Sequence, residues 1–236
     1  MLREAEENGA SKRRIISAAT EVFARRGKHG ARMEEIAAAA CVNKAMVYYY
    51  YSTKGSLFQA VLVAILKEVY SRVFEVLGTD TGSAPASGET MARLVSAHFV
   101  AFSENVSSAK TLLHALANEP EDLREAFHAF KSQAEASNLH MPEALLSLVQ
   151  GGMNGGEIRG LDPQHTLISI IGMSLIYFIG KPIAEGLLDR KVESDETFLR
   201  DRGRNIVDLV LHGVAGERGQ SPKETGDGSP SAMEIR

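Results

Sequence analysis

Apolar positions along this chain recur at intervals of three and four, with no sustained alternation, which is the period of amphipathic helices and not of strands. From Ser11 to Gly27 the residues Ile15, Ile16, Ala19, Val22 and Phe23 mark one helix, with Ser11 as its N-cap and Gly27 as its end. A short second helix is predicted over about Met33 to Ala40, with Ile36 and Ala37 inward. Cys41-Val42-Asn43 leaves room only for a turn, and Asn43 suits the cap of a third helix from Lys44 to Tyr50. A fourth opens at Ser52-Thr53-Lys54 and turns Leu57, Phe58, Val61, Ile65, Val69 and Val73 to one side.

Gly78 to Glu89, "GTDTGSAPASGE", reads as a linker or exposed loop. Helical spacing resumes near Glu89 and runs to about Asn118, with a break at "NVSS". Another helix follows Pro120, a favourable first-turn residue, and is interrupted at Pro142. Gly151 to Pro163 is a predicted loop, and two last helices span Gln164 to Leu188 and Asp195 to Gly213. The tail has almost no apolar content, a composition that stays disordered. The fold class is all-α.

Composition narrows the picture little: 44% hydrophobic and 24% charged residues are ordinary for a globular protein. Cys41 is the single cysteine, so no intrachain disulfide forms. The start of the chain has no apolar signal region, and the most apolar run, Thr166 to Gly180, is short of the roughly 20 residues that span a bilayer. No membrane association and a cytoplasmic location are expected, with that run as a buried or dimer-interface helix. Charge is more informative. Residues 1–60 hold 10 Lys and Arg against 6 Asp and Glu, whereas the remainder holds 16 against 24. A basic head on an acidic body suits a polyanion-binding module attached to a part with other work.

Two short helices joined by a tight turn, with a supporting helix in front, make a helix-turn-helix. Its second helix carries "KAMVYYYY". Residues at i, i+3 and i+4 share a face, so Val47 and Tyr51 continue the apolar surface of the neighbours. Ala45, Tyr48 and Tyr49 form another face, with two phenols beside a small residue that admits close approach. Phenolic hydroxyls donate to phosphate oxygens, and rings pack on thymine methyls or sugars. Tyr50 lies between the faces, placed to aim its hydroxyl at a duplex backbone.

Residues 12–62 resemble the tetracycline-repressor (TetR) family of bacterial transcriptional regulators. The resemblance rests on "RIISAATEVFARRG" and "MEEIAAAACVNKAMVYYYYSTKGSLFQAVL", where Ile36-Ala37, Val42-Asn43, Val47-Tyr48, Tyr50-Tyr51, Lys54 and Leu57 match the family's pattern. It implies a flexible arm over 1–10, a helix-turn-helix DNA-binding domain over 11–55, a helical ligand-binding and dimerisation domain over 56–215, and a tail over 216–236. By matching position, Lys44, Ala45, Met46 and Tyr49 meet base edges, and Tyr48, Tyr50 and Lys54 meet phosphates. The family's capping Thr is replaced by Ala31, leaving Arg32 to supply the phosphate contact, and its turn Gly by Cys41, read as a small half-buried residue.

The resemblance further implies a homodimer built from the last two helices, with Ser169, Gly172, Leu175, Ile176, Phe198, Ile206, Leu209 and Val210 at the interface. It also implies an effector pocket in the body. Candidates are His98, Phe99, Phe102, His114, Asn118, Phe127, Phe130, Met153 and Tyr177, a mostly apolar set with a few polar groups. The expected partners are a near-palindromic double-stranded operator, an unidentified small-molecule effector and a second copy of the chain, with no cofactor. Two other readings stand beside this one. A helical-bundle metalloenzyme would use Glu125 and His128, but no second Glu-x-x-His pair exists. A helix-turn-helix serving as a protein-interaction module is the other, prompted by Ala31 and Cys41.

Overall fold

The computed structural model of the chain describes residues 2–77, 87–136, 141–156, 160–189 and 196–214. Among these residues there are eleven helices and no strand: α1 (Leu2–Gly30), α2 (Met33–Ala39), α3 (Lys44–Tyr50), α4 (Lys54–Leu77), α5 (Gly88–Glu104), α6 (Val106–Asn118), α7 (Pro120–Glu135), α8 (Met141–Asn154), α9 (Pro163–Leu175), α10 (Tyr177–Leu188) and α11 (Glu196–Val214). The tail over 216–236 and most of the linker over 78–89 lie outside the described residues.

The first four helices make the head. Ile15, Ala19, Val22 and Phe23 of α1, Ile36 of α2, Val47 of α3, and Leu57, Phe58, Val61 and Leu62 of α4 are fully buried. The rings of Phe23 and Phe58 meet edge to face, 4.9 Å between centroids, the arrangement the ring quadrupoles favour. All six residues assigned to the inward face of α4 are buried. With 24 residues, α4 is about 36 Å long. Its first half closes the head, and its second half, through Ile65, Val69 and Val73, enters the body.

The start of α1 differs from the expectation. The helix begins at Leu2, so the segment read as a flexible arm is helical and Ser11 is not an N-cap. Ser11 is buried, and its Oγ accepts a hydrogen bond from Arg14 Nη2 at 3.3 Å. Ala, Glu and Arg carry the helix backward from Ile15 without needing apolar spacing. At Gly27 the backbone leaves helical geometry (φ 65, ψ 176) before one last turn, a conformation that only glycine adopts without strain.

In the body, α5 is central, packed between α4, α9 and α11. The predicted break at "NVSS" falls at Asn105, which caps α6. Pro142 does not interrupt a helix. It lies in the first turn of α8, where its missing N–H is not needed. That helix runs on to Asn154, four residues into the predicted loop. The expected single helix from Gln164 to Leu188 is two, α9 and α10, separated at Ile176. Ile176 keeps right-handed helical angles (φ −61, ψ −28) and still donates to Gly172 O at 2.9 Å, so the break is a bend and not a loop.

Candidate nucleic-acid interface

The geometry of the helix-turn-helix begins with its turn. Ala40 ends α2, and Cys41 adopts φ 52, in the left-handed region. Cys41 N donates to Ala38 O at 3.1 Å and Val42 N to Ala37 O at 3.0 Å, the paired bonds of a Schellman motif, which favours glycine at the position Cys41 occupies. Cys41 is exposed, not half-buried. The next residues set the angle of α3: Asn43 caps it, its Oδ1 accepting from Ala45 N at 2.9 Å, which satisfies an N–H that the helix itself cannot.

Only Val47 of the seven residues in α3 is buried, and Tyr51, just beyond, is buried as well. The tyrosine run therefore divides. Tyr51 is core, Tyr48 is exposed and Tyr49 is 79% exposed. Tyr50 is half-buried, and its hydroxyl donates to Asn8 Oδ1 at 2.8 Å, so it braces α3 against the start of α1. Asn8 was missed by sequence reasoning because it falls in the segment read as an arm. The Tyr49 ring meets the Tyr50 ring edge-on at 5.2 Å and so stands on a braced neighbour.

Lys44, Ala45 and Met46 are exposed with Tyr48 and Tyr49, giving one continuous face of α3. The Lys44 ammonium pairs with Glu34 of α2 and lies 5.7 Å from the centre of the Tyr48 ring. The hydrogen bond to Glu34 chiefly raises the Lys44 pKa, and the same bond lowers that of Glu34. Lys44 is thus held in place as a full positive charge on the exposed face. Arg32 is exposed and occupies the N-cap of α2 with no side-chain cap bond. Ala31 itself is buried.

Lys54 sits differently from a free phosphate-binding lysine. Its Nζ donates to His29 O at 2.9 Å and Ala31 O at 3.0 Å, tying the start of α4 to the connection between α1 and α2. An ammonium has three donors, so one stays available beyond these two.

Head and body are joined by a polar contact that sequence reasoning did not identify. The Lys28 ammonium pairs with Asp122 and, at 3.6 Å, with Glu119. Gln59 Nε2 donates to Asp122 O at 2.9 Å. The hydrogen bond to Asp122 is the main cause of the raised Lys28 pKa. Residues 63 to 94 positions apart in sequence meet here, which no local spacing announces.

The body residues proposed for an effector pocket fall into separate groups. Phe99, Phe102 and Tyr177 gather around Phe178, and Phe127 and Phe130 around Tyr70. His98 is buried in α5, with Nδ1 3.0 Å from Leu94 O, and burial lowers its pKa. His114 and Asn118 are exposed on α6, and Met153 is half-buried. None of these residues lines either of two surface cavities, of about 620 and 330 Å³. Of the interface candidates, Ser169, Gly172, Ile176 and Leu209 are exposed, whereas Leu175, Ile206 and Val210 are buried within the protomer. Those three belong to the protomer's own hydrophobic core, because an apolar helix has core on one side too. The side chain of Phe198 lies outside the described residues.

Comparison with known proteins supports this description. A family model for bacterial regulatory proteins of the tetR family matches residues 15–61, the head helices described above. The chain is 27% identical over 207 residues to the HTH-type transcriptional regulator RutR of Escherichia coli O157:H7, covering 87% of this chain and 91% of RutR. It is 26% identical over 212 residues to the HTH-type transcriptional repressor NicS of Pseudomonas putida, covering 85% and 90%. The fold is shared with the transcriptional regulator FadR of Bacillus subtilis, solved in complex with stearoyl-CoA, at a TM-score of 0.61 and 20% identity over 85% of this chain and 97% of FadR. The exposed face of α3, the left-handed turn before it and these matches agree: residues 15–61 form a helix-turn-helix head of the tetR family of bacterial regulatory proteins, on a chain that resembles transcriptional regulators along most of its length.

Proposed function

We propose that this regulator is an effector-responsive repressor that binds a near-palindromic operator as a homodimer, with α3 of each protomer in the major groove of cytoplasmic DNA. The observation that carries the reading is the face of α3, where Lys44, Ala45, Met46, Tyr48 and Tyr49 are all exposed on a helix braced from behind by Val47 and the Tyr50–Asn8 bond. A helix held this firmly with its aromatic side in water is arranged to meet a partner. Lys44 and Arg32 supply charge at its edge, and the remaining donor of Lys54 lies nearby.

Dimerisation is supported by a second face. Ile168, Ile176, Ile183 and Leu187 are exposed on α9 and α10, and Leu209 on α11. Their steps of three and four residues align with Gly172 and Gly180, beside which there is open space where a Cβ would stand. A repressor role and response to a small molecule are supported by the relatives: NicS is named a repressor, and FadR was solved with an acyl-CoA. An effector shifts operator binding only if it binds the two conformations unequally.

Fluorescence anisotropy of the purified protein on the DNA just upstream of its own gene, against scrambled DNA at two salt concentrations, tests the reading. Tight, sequence-selective and salt-sensitive binding is expected. Equal weak binding to both DNAs, and to a library of selected duplexes, would reject it.

A further inference from the structure

The larger of the two cavities does not belong to the interface described above. It is a groove of about 620 Å³ bounded by α1 of the head, α4, and the first turn of α6, within the size range of small-molecule sites. Thr111 Oγ1 of α6 donates to Thr20 O of α1 at 3.1 Å, and His114 stands beside Gly27. The two helices therefore run side by side in the same direction, and the start of α6 opens beside the earlier turns of α1.

Three features at that opening favour an anion. Asn105 caps α6, and with Ser107 and Ser108 it lines the groove. The first N–H groups of a helix have no intrahelical acceptor, and the dipole adds positive potential there. Ser108 is 2% exposed, yet its Oγ has no hydrogen-bond partner. A buried hydroxyl left unpaired is uncommon in folded proteins and marks a place where another polar atom belongs. Lys12 and Arg13 of α1 line the same groove, and neither has an ion pair among the described residues.

Glu21 and Glu68 also border the groove. The four charged side chains sum to zero, so the lining offers no net attraction to a polyanion such as a nucleic acid. It suits a small molecule with one anionic group and with hydroxyl or amine donors for the two carboxylates.

We infer that the groove between α1, α4 and the start of α6 is a binding site for a small polar metabolite bearing a carboxylate or phosphate group, held by the α6 N-terminus, Ser108 and Arg13. The bound molecule bridges head and body. Any effect on operator affinity rests on the proposed function, but binding itself does not.

The test titrates the full-length protein, without DNA, with inorganic phosphate and separately with acetate, against chloride at matched ionic strength, and follows the thermal unfolding midpoint. A saturable rise with at least one anion is expected, and the anion that produces it distinguishes a phosphate from a carboxylate ligand. Arg13→Gln and Ser108→Ala should each weaken that response by about tenfold or more. Ser108→Ala removes a hydroxyl that has no partner, so it should fold at least as stably as the parent. Lys110→Gln, an exposed change on α6 outside the groove, should leave the response intact. No rise beyond chloride with either anion, or an equal rise in Arg13→Gln and Ser108→Ala, would overturn the inference. Failure to bind operator would count against the regulatory reading alone, since no DNA is present here.

Discussion

At the scale of single residues, two side chains in the head stand in places their chemistry does not favour. Tyr51 is buried, and its hydroxyl has no partner. Removing such a hydroxyl while keeping the ring should stabilise the head by about 1 kcal/mol, so Tyr51→Phe should raise the unfolding midpoint. Burial holds the Tyr51 phenol above its ordinary value of 10.0. The native state then keeps the proton after the unfolded chain has lost it, and stability that is complete below pH ~10 falls as pH rises further. The advantage of Tyr51→Phe should therefore widen above that pH in denaturant titrations, and a constant difference would show that the phenol is solvated. Cys41 holds φ 52 at the αL position of the Schellman turn. Its Cβ costs on the order of 1 kcal/mol there, so Cys41→Gly should also raise the midpoint. An unchanged or lower value would mean that the turn relaxes out of the left-handed region.

At the scale of helices, the two kinds of DNA contact proposed for α3 and Lys54 predict different mutant behaviour. Tyr49 is largely exposed, with its ring set edge-on to that of Tyr50, so Tyr49→Ala should leave stability within about 0.5 kcal/mol of the parent. It should instead change the ranking of operator variants, by roughly 1–3 kcal/mol at the bases it meets. A uniform loss across all sequences would assign Tyr49 to the phosphates. Lys54→Ala should weaken all sequences alike and flatten the salt dependence. Because its Nζ holds the carbonyls of His29 and Ala31, it should lower the unfolding midpoint as well. An unaltered midpoint would separate the two roles. The contrast also shows what could be read in advance. The bounds of α3, its Asn43 cap and the inward face of α4 were legible because each follows from local spacing and capping chemistry. The start of α1 at Leu2 was not, since a surface helix of Glu, Arg and Ala needs no apolar period. The bend at Ile176 was not, because its angles stay helical and no residue type marks it. The brace from Asn8 to Tyr50 and the pairing of Lys28 with Asp122 join distant positions, which only the folded chain brings together.

At the scale of the whole molecule, a single helix-turn-helix reads few base pairs, so affinity for an operator requires two heads at a fixed spacing. That spacing has to come from the body, and the proposed dimer places a second copy on the exposed apolar residues of α9, α10 and α11. Ile183 and Leu187 stand one turn apart on α10, 68% and 80% exposed, so charging them removes no core contact. Ile183→Glu with Leu187→Glu should give a folded monomer of unchanged helical content, detected by sedimentation velocity and circular dichroism. Operator affinity should fall by several orders of magnitude, because two separate heads lose the gain from being joined. Val210→Glu, on the neighbouring α11, is the control. Val210 is buried in the protomer, and an unpaired carboxylate there should unfold the body by several kcal/mol, before any question of assembly arises. A double variant that still sediments as a dimer would move the interface to another face. One that unfolds would show that α10 packs within its own protomer more deeply than its exposure indicates. A stable monomer that has lost the operator but still binds nonspecific DNA would establish that spacing, and not the chemistry of α3 alone, sets recognition.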